Sequence, residues 1–227
     1  MRYHVEFDID FKRNKDKGFL IALEGIDGAG KTTQIHLLCK ELRKKYKVYE
    51  TKQPTGSEIG QLIQKALDGR VKIPPVSFQY LFSADRQAHQ VELLKELKKD
   101  QIVVTDRYYW SALVYGIVDR EDLDFEKSGN LLLTALSILS MYHKFVIPDL
   151  AIYIDIPISE ALKRINKAKR LKEVYENKEK LIKIKKGYDW LIKKFPSEIT
   201  RVDGTKSIHD VTKQILDKIN KLKNHCL

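Results

Sequence analysis

Residues 19–34 read Phe-Leu-Ile-Ala-Leu-Glu-Gly-Ile-Asp-Gly-Ala-Gly-Lys-Thr-Thr-Gln, and this stretch decides the fold. It begins with a short, continuous apolar run at residues 19–23, which is typical of a β-strand buried on both faces. The spacing Gly25-x-x-x-x-Gly30-Lys31-Thr32 then matches the phosphate-binding P-loop pattern. A helix is predicted from residue 31 to about residue 45. A strand, a glycine-rich loop and a helix in this order are the context that the pattern requires.

The loop supplies the groups that bind the phosphates of a nucleoside triphosphate. Its glycines let backbone N–H groups surround phosphate oxygens, and the positive end of the helix dipole adds to the attraction. Lys31 is long enough to reach the β- and γ-phosphates, and the Thr32 hydroxyl is a suitable ligand for Mg²⁺. The predicted phosphate site consists of Gly25, Ile26, Asp27, Gly28, Ala29, Gly30, Lys31, Thr32 and Thr33.

Strands and helices alternate along the rest of the chain. Further strands are predicted at residues 48–51, 102–105, 150–154 and 198–202. Helices are predicted at about residues 58–67, 74–99, 111–117, 125–143 and 158–164, then up to residue 194, and at residues 208–222. This alternation predicts an α/β fold, in which a doubly wound parallel sheet is covered by helices on both faces.

The N-terminal residues 2–11 alternate between apolar and polar side chains, which predicts an additional half-buried strand. This strand either extends the sheet, covers one of its edges or contacts a partner. Neither a linker nor an internal repeat divides the sequence. We therefore expect residues 1–227 to form one domain, with residues 1–18 as an N-terminal extension.

Composition limits the classes of function. The 227 residues carry a formal net charge of +11, which indicates either a solvated lysine-rich surface or an anionic partner such as a nucleotide. No nucleic-acid-binding motif is visible, so a nucleic-acid partner is not predicted. Cys39 and Cys226 lie far apart without metal-ligand spacing, which favours a reducing, cytoplasmic compartment. No apolar run approaches the ~20 residues of a membrane-spanning helix.

Two pairs of residues outside the loop are candidates for the chemistry. Asp106 ends a predicted strand, where it would face the phosphate crevice and hold Mg²⁺ through water, while Arg107 would clamp a phosphate. The alternative is a helix N-cap beside a surface arginine. Phe82 and Arg86 are one helical turn apart and share a face. They either sandwich and hydrogen-bond a base, or are a core phenylalanine beside a surface arginine.

A basic stretch is the last unusual feature. Residues 163–172 include Lys163, Arg164, Lys167, Lys169, Arg170 and Lys172. This stretch is either a cationic flap that closes over phosphates or a solvated charge run. Periodicity does not distinguish the two.

Several stretches together resemble the thymidylate kinase family, whose members phosphorylate dTMP to dTDP. They are, in chain order, residues 24–34, 53–60, 81–86, 104–108, 148–150, 173–177 and 202–208. The similarity runs from residue 19 to about residue 211. It implies a P-loop nucleoside monophosphate kinase fold, ATP with Mg²⁺ as donor, dTMP as acceptor, a homodimer, and a mobile LID at residues 165–176.

The resemblance also implies roles for individual residues. Phe82 would stack on thymine, Arg86 would bond its carbonyl edge, and Arg107 would hold the monophosphate. Asp27 would meet the 3′-hydroxyl of the deoxyribose. The implied dTMP site comprises Asp27, Lys52, Phe82, Arg86, Arg107, Tyr115 and Tyr175. On the donor side, Arg164 would stack on adenine beside the segment that follows Asp203, and Thr32 and Asp106 would hold Mg²⁺.

The catalytic residues implied by the resemblance are Lys31, Asp106, Arg107 and Arg170. Position 28 is glycine, where one branch of the family carries a catalytic arginine. The transition-state cation is therefore expected from the LID, with Arg170 and Lys167 as candidates, although position 174 is valine where the LID motif usually has arginine.

Two further departures concern the acceptor. Lys52 stands where an arginine often contacts the acceptor phosphate, and Gln53 replaces a frequent acidic or aromatic residue. A kinase of the same fold that acts on another nucleotide, such as dUMP, or on a nucleoside fits these departures. A P-loop nucleotide-binding module without kinase activity is a second alternative. Residues 125–143 carry an apolar stripe that serves either a dimer interface or core packing.

Overall fold

The structure is a computed structural model of the chain, and it describes residues 11–118, 138, 140, 142, 144–167 and 178–223. Most of the predicted N-terminal strand lies outside the described residues, with Phe11 as its only described member. The same holds for nearly all of the predicted helix at 125–143 and for residues 168–177, which include Arg170 and Tyr175.

A parallel sheet forms the centre of the described part. Its strands are β1 (Phe19–Glu24), β2 (Val48–Lys52), β3 (Ile102–Asp106), β4 (Leu150–Asp155) and β5 (Ile199–Asp203). They lie in the order β2-β3-β1-β4-β5, and every neighbouring pair is parallel. The helices are α1 (Lys31–Leu42), α2 (Glu58–Leu67), α3 (Pro75–Lys98), α4 (Tyr109–Val118), α5 (Ile158–Lys167), α6 (Lys178–Lys194) and α7 (Ile208–Lys223). The predicted doubly wound α/β fold is confirmed.

The central strand β1 is buried on both faces, as its continuous apolar sequence predicts. Leu20, Ile21, Ala22 and Leu23 are all fully buried. Removal of this apolar surface from water is the main term that stabilises such a sheet.

Strand register brings the carboxyl ends of three strands together. Leu23 of β1 and Lys52 of β2 both pair with Asp106 of β3. In an open parallel sheet, ligands bind in the crevice beyond these ends. The loops that follow β1, β2 and β3 therefore meet at one edge of the sheet.

Three helix boundaries differ from the prediction by two residues or more. Helix α4 begins at Tyr109 rather than at residue 111, because the buried Glu24 carboxylate accepts a hydrogen bond from the backbone N–H of Tyr108 and orders the preceding turn. Helix α1 ends at Leu42 rather than residue 45, where the chain tightens into turns. Helix α5 continues to Lys167, so the first residues of the predicted LID are helical.

The start of the described chain is anchored at the amino end of the sheet. Lys12 forms an isolated parallel bridge with Val146. The Asn14 amide donates to the Gly18 carbonyl oxygen and to an Asp149 carboxylate oxygen, at 2.7 and 2.9 Å. None of the helices within the described ranges is long and apolar enough to cross a membrane.

The Phe11 ring packs in a cluster of aromatic side chains. Its centroid lies 6.4 Å from that of Tyr109, 6.2 Å from that of Trp110 and 6.4 Å from that of Phe195. Residue 11 therefore contributes to the core even though it precedes the first strand of the sheet.

Substitution of Phe11 tests this anchoring. Because the ring is only partly buried, Phe11→Ala should lower the free energy of unfolding by about 2 kcal/mol, less than the loss at a fully buried phenylalanine. Urea denaturation measures the change. The control Ile208→Ala truncates a side chain that is 58% exposed and should have little effect. Equal stability of Phe11→Ala and wild type would contradict the packing role.

Candidate active site

A cavity of about 490 Å³ opens at the carboxyl edge of the sheet. This volume is within the usual range for sites that bind small molecules. Its wall combines residues of the P-loop with residues of β2, β3, α2, α3, α4 and α5. They include Asp27, Gly28, Gly30, Lys31, Thr32, Thr33, Lys52, Gln53, Phe82, Arg86, Asp106, Arg107, Tyr115 and Arg164.

Lys31 is held against the loop that it follows. Its Nζ donates to the carbonyl oxygens of Gly25 and Ile26, at 3.1 and 3.0 Å, and lies 3.9 Å from a carboxylate oxygen of Asp27. Burial, with the nearby Arg107 guanidinium as the second cause, lowers the pKa of Lys31 to about 8. An anion bound in the loop would stabilise its charged form.

Gly28 adopts a conformation and a packing that exclude a side chain. Its φ is +79°, in the region that favours glycine. A Cβ atom here would lie 2.6 Å from the Ala161 carbonyl oxygen and 3.1 Å from the Ala161 Cα atom. Since α5 packs so closely on the loop, an arginine at position 28 does not fit this arrangement. This agrees with the expectation that the catalytic cation comes from elsewhere.

Thr32 and Asp106 lie together at the start of α1 and the end of β3. The Thr32 hydroxyl donates to an Asp106 carboxylate oxygen at 2.8 Å. A hydroxyl and a carboxylate are oxygen ligands of the kind that Mg²⁺ takes. Within the described residues, no cluster of three or more His, Cys, Asp or Glu side chains could hold a metal. The Thr32 and Asp106 oxygens would suit a Mg²⁺ ion as two of its ligands.

Arg107 follows β3 directly and reaches across to the P-loop. Its guanidinium donates to the Gly25 carbonyl oxygen at 3.1 Å and to the Ser111 hydroxyl at 3.3 Å, and it forms an ion pair with Asp27. Its φ is +67°, which is uncommon for a residue with a side chain and is frequent at functional sites. The Tyr115 ring lies 5.1 Å below the guanidinium. These contacts exclude the alternative of a free surface arginine.

The backbone around Arg107 is fixed by a buried carboxylate. Glu24 is fully buried, and it accepts hydrogen bonds from the Tyr108 N–H at 3.0 Å, from the Ser111 hydroxyl and from the Tyr188 hydroxyl at 3.1 Å. Burial raises the pKa of Glu24. No role for Glu24 was predicted from the sequence. A charged residue at the end of an apolar strand was the signal available, because buried carboxylates need partners.

Phe82 and Arg86 face the cavity together from α3. The Arg86 guanidinium carbon lies 5.2 Å from the Phe82 ring centroid, so the shared face predicted from their spacing is present. Arg86 is only 3% exposed, which excludes the alternative of a surface arginine. Its Nε donates to the side-chain oxygen of Gln53 at 2.8 Å. Its Nη1 has no hydrogen-bond partner in the part of the chain that the structure describes.

A buried aspartate between these two residues orders the neighbouring loop. Asp85 accepts hydrogen bonds from the Thr55 N–H at 2.9 Å, from the Thr55 hydroxyl at 2.5 Å and from the Ser57 hydroxyl at 2.9 Å. The loop between β2 and α2 is thereby fixed beside the cavity. Asp85 was not assigned a role from the sequence.

Arg164 lies on the donor side of the loop. Its Nε donates to a Glu160 carboxylate oxygen at 2.9 Å, and its Nη2 donates to the Gly204 carbonyl oxygen at 3.2 Å. The segment after Asp203 is thus adjacent to Arg164, as the resemblance implied. Lys167 is exposed at the end of α5.

Several known proteins are similar to this chain in sequence and in fold. The family model described as thymidylate kinase matches residues 23–215. The chain belongs to the thymidylate kinase family. The probable thymidylate kinase of Methanococcus aeolicus is 38% identical over 205 residues, which cover 88% of this chain and 94% of that protein. The thymidylate kinase of Thermoanaerobacter sp. strain X514 is 34% identical over 209 residues, which cover 90% of this chain and 98% of that protein.

A solved structure supports the same membership. The thymidylate kinase of Candida albicans aligns with a TM-score of 0.78 and 27% identity, over 93% of this chain and 95% of that one. Membership of the thymidylate kinase family confirms the resemblance stated from the sequence. It also supports ATP-dependent phosphorylation of dTMP, the activity that defines this family of nucleoside monophosphate kinases.

The lowered pKa of Lys31 predicts a proton effect on ATP binding. At pH 8.5 most Lys31 side chains are neutral, because this pH lies above a pKa of about 8. The triphosphate favours the charged form and raises this pKa, so binding should take up protons. Isothermal titration calorimetry in buffers of different ionisation enthalpy measures the uptake.

The matched control is Lys31→Arg, because a guanidinium stays charged at this pH. Uptake should be lost in that variant. An observed enthalpy of ATP binding to the wild type that does not depend on the buffer at pH 8.5 would contradict the prediction.

Proposed function

We propose that the chain transfers the γ-phosphoryl group of Mg·ATP in line to the phosphate of dTMP. The observation that carries the proposal is the shared cavity. The P-loop residues Lys31 and Thr32, the α3 pair Phe82 and Arg86, and Arg107 all line it. A triphosphate and a base can therefore occupy one continuous site.

On the donor side, the loop and the start of α1 bind the phosphates. Lys31 carries the positive charge towards the β- and γ-phosphates, and Arg164 provides a planar surface for adenine. A Mg²⁺ ion held there would offset the negative charge that develops on the transferred phosphoryl group. Thr32 and Asp106 are the residues that would hold it.

On the acceptor side, Phe82 stacks on the base and the unpaired Arg86 Nη1 donates to its carbonyl edge. Arg107 and Asp27 form an ion pair at the position where the sugar phosphate would bind. We propose that bound dTMP breaks this ion pair. Its phosphate then binds the Arg107 guanidinium, and its 3′-hydroxyl donates a hydrogen bond to Asp27. Lys52, at the end of β2, contributes a single ammonium charge, which lacks the two parallel N–H donors of an arginine guanidinium.

The reaction requires little covalent chemistry from the protein. The acceptor phosphate is already an anion, so no general base is needed. Alignment of the two phosphates and stabilisation of the transferred charge lower the barrier. We propose that Arg170 of the LID, residues 165–176, supplies the additional cation and that Tyr175 lines the sugar pocket. LID closure would exclude water that would otherwise hydrolyse ATP.

We further propose a cytoplasmic homodimer. The family resemblance suggests the dimer, and α3 supports it with a row of exposed apolar side chains. Val76 is 50% exposed, Tyr80 62% and Val91 73%. Apolar residues exposed together on one helix are characteristic of contact surfaces between proteins.

A panel of acceptors tests the proposed activity. In a coupled assay of ADP release with saturating Mg·ATP, dTMP should be the preferred acceptor. Loss of the single thymine methyl group should make dUMP poorer by about tenfold. The thymidylate kinase of Candida albicans has broad substrate specificity, so the panel should also include dGMP, dCMP, UMP and CMP. Equal or better turnover of UMP or CMP would contradict the assignment.

Arg107 tests the mechanism within the same assay. Arg107→Ala should lower kcat/KM for dTMP by about a hundredfold or more, since it removes a preorganised charge at the reacting phosphate. The control Arg70→Ala removes an exposed arginine at the end of α2 and should keep wild-type kinetics. Unchanged dTDP formation by Arg107→Ala would contradict the mechanism.

Sedimentation equilibrium tests the dimer. Wild type should sediment at twice the 26.5 kDa mass of one chain. Tyr80→Glu should sediment as a monomer, because it places a charge in the apolar row. Tyr46→Glu changes an exposed tyrosine elsewhere and should leave the dimer intact. A dimeric Tyr80→Glu would show that α3 is not the interface.

A further inference from the structure

Arg86 depends on one neutral acceptor for its orientation. The side chain is nearly fully buried, and its Nε–H is bonded to Gln53 Oε1 at 2.8 Å. Its Nη1 is buried and unpaired within the described ranges, and the side chain lines the cavity. A buried donor without a partner is costly, so this nitrogen is suited to a ligand acceptor. The direction of Nη1 follows from the bond that Nε makes.

The Gln53 side chain has only one orientation that fits its surroundings. Arginine nitrogens only donate, so the end of the amide that faces Arg86 must be the oxygen. The amide nitrogen then faces His89 Nδ1, at 3.1 Å. Gln53 is itself 4% exposed, and its backbone N–H donates to the Asp106 carbonyl oxygen at 3.0 Å. Both its backbone and its amide plane are therefore fixed.

The Gln53 amide in turn selects one form of His89. The amide nitrogen only donates, so His89 Nδ1 must be an unprotonated acceptor. The proton of the neutral ring then lies on Nε2, which is 2.9 Å from the Thr51 hydroxyl oxygen. A chain of hydrogen bonds runs from Thr51 through His89 and Gln53 to Arg86. If Nδ1 were protonated, its N–H would face the N–H of the Gln53 amide nitrogen, and neither could accept. This would favour rotation of the amide, which would turn its nitrogen towards Arg86.

The charges around His89 come from its own helix. Burial lowers the pKa of His89, while the carboxylates of Glu92 and Asp85 raise it and the Arg86 guanidinium lowers it. From β2, Tyr49 contributes a phenol that is hydrogen-bonded to Glu92. Because burial is the largest cause, the ring is neutral at neutral pH, as the chain of hydrogen bonds requires.

We propose that His89 and Gln53 are positioning residues that aim Arg86 at the acceptor base and so set its preference for a carbonyl group over an amino group. An Arg86 N–H with a fixed direction can donate to the carbonyl oxygen of thymine or uracil, but it leaves the amino group of cytosine unpaired. The inference rests on the proposed dTMP kinase activity. It deepens that function, because it gives His89 and Gln53 a part in the choice of the acceptor base.

The kinetic test uses His89→Leu, which removes the acceptor for the Gln53 amide nitrogen. Without this acceptor the amide nitrogen is unpaired and the amide plane is held only at Arg86, so KM for dTMP should rise by about tenfold, the scale of one hydrogen bond to a charged group. The values of kcat and of KM for ATP should stay within about twofold, because the donor site is untouched. The preference for dTMP over dCMP should fall. His209→Leu, on the exposed start of α7, is the matched control.

A second substitution distinguishes positioning from a general loss of structure. In Gln53→Glu, both ends of the side chain accept, so Arg86 Nε keeps its partner whichever way the group turns. Adding Gln53→Glu to His89→Leu should therefore return KM for dTMP close to the wild-type value. A double variant as impaired as His89→Leu, or equal changes in kcat and both KM values, would overturn the proposal.

Nitrogen-15 NMR of the imidazole rings tests the chain of hydrogen bonds without reference to activity. The His89 signals are identified by their loss in His89→Leu. At pH 7.5 they should show a neutral ring with its proton on Nε2. A ring protonated on Nδ1 would overturn the inference even if dTMP is the substrate. Failure of wild type to phosphorylate dTMP, with this tautomer present, would instead contradict the proposed function.

Discussion

The hydrogen bonds of the buried Glu24 carboxylate are the constraint on which the site depends. Glu24 ends the central strand, and it accepts from the backbone of Tyr108, from Ser111 on α4 and from Tyr188 on α6. A buried carboxylate without such partners would cost several kcal/mol, so these elements are held together strongly. The P-loop begins at the next residue. Its position and that of the turn that carries Arg107 are therefore fixed by the same group.

This constraint explains how one sheet edge serves two phosphorylated substrates. Arg107 emerges from the fixed turn in an uncommon backbone conformation and contacts the P-loop at Gly25 and Asp27. Asp27 belongs to the P-loop, and it pairs with Arg107, which follows β3. Two separate elements of the cavity wall are thus joined by an ion pair. Close approach of two anions requires this density of preorganised positive charge.

Local sequence patterns predicted the features that depend on neighbouring residues. The apolar run before Gly25 predicted a buried strand, and the spacing of Phe82 and Arg86 predicted their shared helix face. The alternation of strands and helices predicted a parallel sheet, although the strand order was not stated. Helix ends were less accurate, because they depend on tertiary contacts such as the one between Glu24 and Tyr108.

The rest of the site depends on contacts between residues far apart in the chain. Gln53 and Arg86 are 33 positions apart, and Gln53 and His89 are 36 apart. No local pattern shows that the Gln53 amide contacts both Arg86 and His89. Packing of Ala161 against Gly28 is equally non-local. This packing leaves no room for a side chain at position 28.

A crystal structure with dTMP and a non-hydrolysable ATP analogue bound is the most direct test of these assignments. The base should stack on Phe82, Arg86 Nη1 should donate to its carbonyl oxygen, and the Arg107 guanidinium should bind the acceptor phosphate. Asp27 should then accept from the 3′-hydroxyl. A base bound away from Phe82 and Arg86, with Arg107 still paired only to Asp27, would contradict the account.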